Sequence, residues 1–131
     1  MEGSLLLDLI GQELGSVVFV RDYVQLVFDG PHLSLYVWPL IAASDGNTVR
    51  FGASGYRDAL CGFIGLAPTR VVVDRERGIE IVFGAARLVI NPQPEELWGA
   101  GEIAMLGGFT ARADWDVWRA DTFPFDQRQW T

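Results

Sequence analysis

One stretch of this chain occurs twice, and the doubling limits the folds open to it. Leu9-Ile10-Gly11 opens a run of strand-forming residues that ends near Pro39, and Phe63-Ile64-Gly65 opens a second run that ends near Pro94. An offset of 54 residues pairs Ile10 with Ile64, Gly11 with Gly65, Val17 with Val71 and Val18 with Val72. One additional residue in the second run then makes the offset 55, pairing Val24, Leu26 and Phe28 with Ile79, Ile81 and Phe83, Leu33 and Leu35 with Leu88 and Ile90, and Pro39 with Pro94. A unit written twice adopts one local fold twice, and each copy supplies the apolar face that the other must cover.

Within each copy the pattern predicts a short helix, a glycine and a three-stranded antiparallel meander. Ser4 to Ile10 reads as an N-capped helix stopped by Gly11, with Leu6, Leu9 and Ile10 on its buried stripe. Strands follow at Ser16–Val20, Tyr23–Asp29 and His32 to about Trp38, separated by Arg21-Asp22 and Asp29-Gly30-Pro31 turns. In the second of these, Val24, Leu26 and Phe28 alternate with Tyr23, Gln25 and Val27, the period of a half-buried strand. Copy two repeats the order: a helix over 56–64 with Leu60, Phe63 and Ile64 inward, then strands at about 69–74, 78–83 and 87–91. Residues 40–55 form a linker in which Asp45-Gly46-Asn47 is a turn and Thr48–Phe51 a short edge strand. Beyond Pro94, Glu95–Trp98 and Glu102–Leu106 read as short helical turns, followed by the Gly107-Gly108 break and an aromatic, acidic tail. The expected architecture is α+β and mainly antiparallel, a single domain over 1–131 built from pseudo-symmetric repeats at 4–39 and 56–94, with a C-terminal extension over 95–131. Periodicity leaves open a continuous sheet, a half-open barrel or two facing layers.

Composition removes several function classes. The 131 residues suffice for one unstapled core, and the apolar runs fall far short of the roughly 20 residues that span a bilayer. Met1-Glu2-Gly3-Ser4 is acidic and Leu5-Leu6-Leu7 is broken by Asp8, so no signal peptide is expected. Cys61 is the only cysteine and His32 the only histidine, which disfavours disulfides and common zinc sites and fits a reducing cytoplasm. All ten basic residues are arginine, so phosphate-loop lysine and Schiff-base chemistry are out of reach. Gly99-Ala100-Gly101 lacks the spacing of a phosphate loop. A net charge of −7 repels phosphate backbones and favours a basic protein partner; no nucleic-acid or membrane partner and no metal or cofactor is expected.

The remaining candidates are weighed against plainer roles. Trp118, Arg119, Phe123, Phe125 and Trp130 in the tail form a partner-facing patch on one reading, because tryptophan and arginine dominate interface hot spots. On the plainer one, Trp115 and Trp118 close the core as a strand or turn and the tail aspartates stay in water. Trp38, with Trp98, lines a pocket between the copies, unless Trp38 is simply a strand-end core residue. Asp22, Asp29, Asp74 and Glu76 sit at strand ends, where carboxylates cap turns; an acid/base pair would need two of them in one cleft. Arg70, Arg75, Arg77 and Arg87 read as a salt-bridged face with Asp74, Glu76 and Glu80, with an anion site as the alternative. His32 reads as an exposed turn residue, and Cys61, at the position Leu7 holds in copy one, as a buried structural thiol.

The layout resembles a loose group of small uncharacterised bacterial proteins, some in immunity-protein-like contexts. Ile10-Gly11 with Val17 and the Val24–Phe28 strand, Tyr56-Arg57-Asp58-Ala59-Leu60 before Ile64-Gly65, and Trp115-Asp116-Val117-Trp118-Arg119 carry the likeness. It implies protein binding and transfers no catalytic residue. The expected function is therefore a non-enzymatic, immunity-like protein-binding module using an acidic and aromatic surface. A small-ligand module with a pocket between the repeats is the alternative, and a hydrolase using turn carboxylates comes third. A homodimer through an exposed strand edge is compatible with either binding role.

Overall fold

A computed structural model describes residues 4–97, 101–108 and 115–128. The first meander is β1 (Leu14–Val20), β2 (Tyr23–Phe28) and β3 (His32–Leu35), preceded by the one-turn helix α1 (Ser4–Leu7). Leu40–Ala42 (β4) and Thr48–Val49 (β5) follow, then α2 (Tyr56–Cys61) and the second meander, β6 (Arg70–Asp74), β7 (Gly78–Phe83) and β8 (Ala86–Ile90). A 3₁₀ turn at Pro94–Glu96 leads to β9 (Glu102–Gly107) and, last, β10 (Asp116–Arg119).

Among the described residues, ten strands form two five-stranded antiparallel sheets, ordered β1-β2-β3-β9-β10 and β5-β4-β8-β7-β6. The chain changes sheet after each meander. β4 and β5 follow the first meander but extend the second, and β9 and β10 follow the second but extend the first. Both sheets turn their apolar faces into one core. Val24, Leu26 and Phe28 of β2, Leu33 and Leu35 of β3, Ile79, Ile81 and Phe83 of β7 and Leu88 and Ile90 of β8 are all buried there. Each such side chain contributes roughly 1.5–3 kcal/mol on leaving water. The period-2 alternation along β2 is what directs three of its six residues inward.

The helices are shorter than the sequence pattern predicts. After Leu7 and after Cys61 the chain tightens into turns closed by bonds from residue i to i−3, including Leu9 N to Leu6 O and Phe63 N to Leu60 O. A three-residue repeat keeps Leu6 with Leu9 and Leu60 with Phe63 on the buried face. It turns the next residue outward, so Ile10 and Ile64 are exposed rather than part of the core stripe. Leu7 and Cys61, at matching positions, are both exposed, which corrects the reading of Cys61 as a buried thiol.

Three further expectations are corrected. Glu102–Leu106 is a strand, not a helical turn: β9 is flanked by β3 and β10, which pair its backbone on both sides while Ile103, Ala104 and Leu106 enter the core. β3 ends at Leu35 because Tyr36–Pro39 is the crossover to the other sheet. Leu40–Ala42, read as linker, is an interior strand between β5 and β8. Thr48–Val49 does lie at a sheet edge. Among the described residues, no helix is long and apolar enough to cross a membrane.

Candidate binding groove

The two crossovers run beside one another, and a groove of about 780 Å³ opens between them. The β1–β2 turn contributes Arg21, Asp22 and Tyr23 to it, and the first crossover contributes Tyr36, Val37 and Trp38. Phe51 comes from the loop after β5, while Glu95, Glu96 and Leu97 come from the second crossover and Glu102 from the start of β9.

The aromatic groups are held in two sets. Trp38 stacks on Phe51 with ring centroids 4.2 Å apart and planes 8° from parallel. Tyr56 meets both edge-on, at 6.5 and 5.8 Å, and its buried hydroxyl donates to the Pro39 carbonyl. Burial raises the pKa of that phenol, so it remains a donor and fixes the crossover just after Trp38. Arg57 lies over Phe19 and Phe51, with its guanidinium carbon 5.7 and 6.0 Å from the two centroids. Tyr23 and Tyr36 form the second set, 5.3 Å apart.

Four carboxylates, Asp22, Glu95, Glu96 and Glu102, face this aromatic lining against one guanidinium, Arg21. Two of the four have roles within the fold. Glu96 accepts the Gln93 backbone N–H at 2.6 Å, and Glu102 pairs with Arg119 at 3.4 Å. Among the described residues Asp22, Glu95 and Arg21 have no ion-pair partner. A cavity that combines π faces with an excess of carboxylates attracts a cation through both ring quadrupole and charge.

Other candidate residues fall elsewhere. Trp118 is buried on β10 and Phe125 is fully buried, so neither side chain presents a partner-facing surface. Arg119 is exposed beside Glu102, and Phe123 lies under the Arg75 guanidinium, 4.9 Å from its carbon. Trp98 and Trp130 lie outside the described residues. Asp74 caps its own turn by accepting the Arg77 N–H at 2.6 Å and pairs with the Arg77 side chain; Arg87 pairs with Glu80 at 3.7 Å. Of the four strand-end carboxylates only Asp22 reaches the groove. Among the described residues no three His, Cys, Asp or Glu side chains converge as metal ligands.

Residues 120–128 form a strap that leaves β10 and crosses to the second meander. Arg75 donates to Asp126 through Nε at 3.2 Å and Nη2 at 3.1 Å, and Arg128 Nη2 donates to the Arg75 carbonyl at 2.9 Å. The Arg75 hydrogen bonds hold the Asp126 carboxyl below the usual carboxylate range. A depressed folded-state pKa gives stabilisation that is present above the unfolded value of about 3.9 and is lost as pH falls through the lower, folded value. Asp126→Asn is therefore expected to lower Tm slightly at pH 7, with the gap to wild type closing as pH falls below about 4. A pH-independent gap in thermal melts would contradict this assignment.

Of the described groove residues, the sequence singles out Trp38 as pocket lining and Asp22 as a strand-end carboxylate, and none of the others. The missed signal lies at the sequence offset of 55, where Tyr23 falls against Gly78, Tyr36 against Asn91 and Trp38 against Gln93. Aromatic residues opposite small or polar ones at that offset are side chains the shared strand pattern does not require. Comparison with protein-family models, with curated proteins and with solved structures finds no match.

Proposed function

We propose that this protein is a non-enzymatic binding module whose groove receives a cationic group of a partner protein. The observation that carries the reading is the set of four carboxylates that line the groove with Trp38–Phe51 and Tyr23–Tyr36; Glu102 is paired with Arg119, and Asp22 and Glu95 have no ion-pair partner among the described residues. An immunity-like role takes the same form, with an acidic module covering the basic site of its target. The groove also has the size of a small-molecule site, about 300–1,000 Å³, which favours a free organic cation as the second reading.

We infer further that the two halves are related by a pseudo-twofold axis. Reciprocal backbone bonds support it: Gly11 N donates to Pro68 O at 2.9 Å and Gly65 N to Leu14 O at 2.8 Å, and the offset of 54 pairs Gly11 with Gly65 and Leu14 with Pro68. The exchange of β4–β5 and β9–β10 between sheets obeys the same relation.

Titration with a capped hexa-arginine peptide tests the binding reading. Asp22→Asn combined with Glu95→Gln is expected to weaken binding about five- to tenfold, the loss of two exposed charge contacts. Glu13→Gln combined with Asp29→Asn removes equal charge away from the groove and is expected to change affinity less than about twofold. Equal losses in the two variants would show attraction to net charge alone and sink the proposal. Tight, groove-dependent binding of free arginine would instead favour the small-cation reading.

A further inference from the structure

The strap over the second meander shows how a peptide can occupy the place that the groove holds on the first. It spans two features of that meander, the β6–β7 turn and the exit from β8. Arg128 donates to the Arg75 carbonyl in the turn at 2.9 Å and to the Pro92 carbonyl beyond β8 at 3.4 Å. Its guanidinium carbon lies 5.1 Å from the ring centre of Phe125, which is fully buried. An aromatic anchor and, three residues later, a guanidinium thus close this end of the second meander.

The corresponding features of the first meander are the β1–β2 turn and the exit from β3. By the repeat offsets Arg21 matches Arg75 and Val37 matches Pro92, and both line the groove. Among the described residues the chain after β5 contributes Phe51 to the groove wall and then proceeds into α2, and no strap crosses here. In the groove Asp22 and Glu95 are joined by Glu96 and Glu102.

We propose that the groove receives an extended segment of a partner protein that docks as the strap does, with an aromatic side chain against Tyr36 and Trp38 and an arginine three residues later against Asp22 and Glu95. The proposal rests on the binding reading and the pseudo-twofold relation above. The groove differs from the strap's seat in that its carboxylates pair with the incoming guanidinium as the backbone carbonyls do in the second meander. An arginine fits better than a lysine, because a planar guanidinium stacks on a ring while donating in its own plane.

The probe is a capped, fluorescently labelled peptide of residues 122–128 carrying Asp126→Gln, which keeps the spacing of Phe125 and Arg128 and removes the acid. Anisotropy is expected to show saturable one-to-one binding to the full chain, weakened by salt. Phe125→Ala or Arg128→Ala in the peptide is expected to weaken it at least about tenfold, as for an anchor residue. Trp38→Ala in the protein should do the same, and Asp22→Asn, which leaves the packing alone, should weaken it about threefold. Binding that neither Trp38→Ala nor Asp22→Asn alters would place the peptide on the second meander and overturn the proposal. If hexa-arginine binds in the groove while Phe125→Ala in the probe changes nothing, the strap-like mode fails and the general binding reading stands. Absence of groove-dependent binding by both peptides removes both. A concentration-dependent dimer of the full chain that the peptide dissociates would identify a second copy as the occupant and likewise overturn a separate partner.

Discussion

Phe125→Ala is expected to cost about 3–5 kcal/mol of folding free energy, the range for emptying a fully buried phenylalanine site. Phe125 has no exposed surface and belongs to the same core as Leu26 and Ile81, although it lies on an irregular strap near the C-terminal end. The strap is fastened from above by Arg128, so the cavity left by alanine cannot close simply by sinking the backbone. Loss of the ring also removes the surface beneath that guanidinium, a further contribution of about 0.5–1 kcal/mol. Phe125→Leu, which keeps most of the volume, is expected to cost under about 2 kcal/mol. Urea denaturation followed by tryptophan fluorescence measures both. A cost below about 1 kcal/mol for the alanine variant would mean that the strap is not part of the core.

The second large effect is expected at the β6–β7 turn. Gly78 has a φ of +74°, and a Cβ built there meets the Ile90 carbonyl oxygen and lies 3.1 Å from both the Cβ and the Oδ1 of Asn91. Asn91 cannot readily give way, since its Nδ2 donates to the Glu76 carbonyl at 3.2 Å and ties β8's exit to the turn. Gly78→Ala therefore combines left-handed backbone strain of about 1–2 kcal/mol with overpacking of about 1–3 kcal/mol. Gly84 provides the control. Its φ of +67° is similar, but an added Cβ meets nothing within 4 Å, so Gly84→Ala should incur the backbone strain alone. Equal midpoints for the two variants would contradict the assignment of a steric clash at Gly78.

The six meander strands were legible because alternation and turn residues agree along each of them. Val24-Leu26-Phe28 and Ile79-Ile81-Phe83 face one way under any register that buries them. β9 was not legible. Glu102-Ile103-Ala104-Met105-Leu106 contains four good helix formers, and only pairing with β3 on one side and β10 on the other makes it a strand. The three residues of β4 are too few to show a period. Ile10 and Ile64 were misplaced for a geometric reason, since a 3.6-residue turn would bury them and the three-residue turns that form do not.

The groove was mostly illegible because its lining comes from five separated stretches of chain. No spacing rule links Asp22 to Glu95, and only the change of sheet at Tyr36–Pro39 and again after Ile90 brings them to one cavity. Trp38 could be singled out as an aromatic residue beside proline at a strand end. The tail was more misleading. Trp118 and Phe125 carry the composition of an interface but fill the core, whereas the groove's acidic and aromatic character is spread over residues that look unremarkable one at a time.

The exchange of strands between sheets also governs the order in which the molecule can be completed. When the first meander leaves the ribosome, the outer side of β3 has no neighbour until β9, about 70 residues later, has been synthesised. β8, by contrast, finds β4 already made. The nascent protein thus carries one waiting strand edge across this interval, and that edge is sealed only once β9 has been made. Neither sheet can be assembled from one contiguous half of the chain, and each half carries the piece that completes the other.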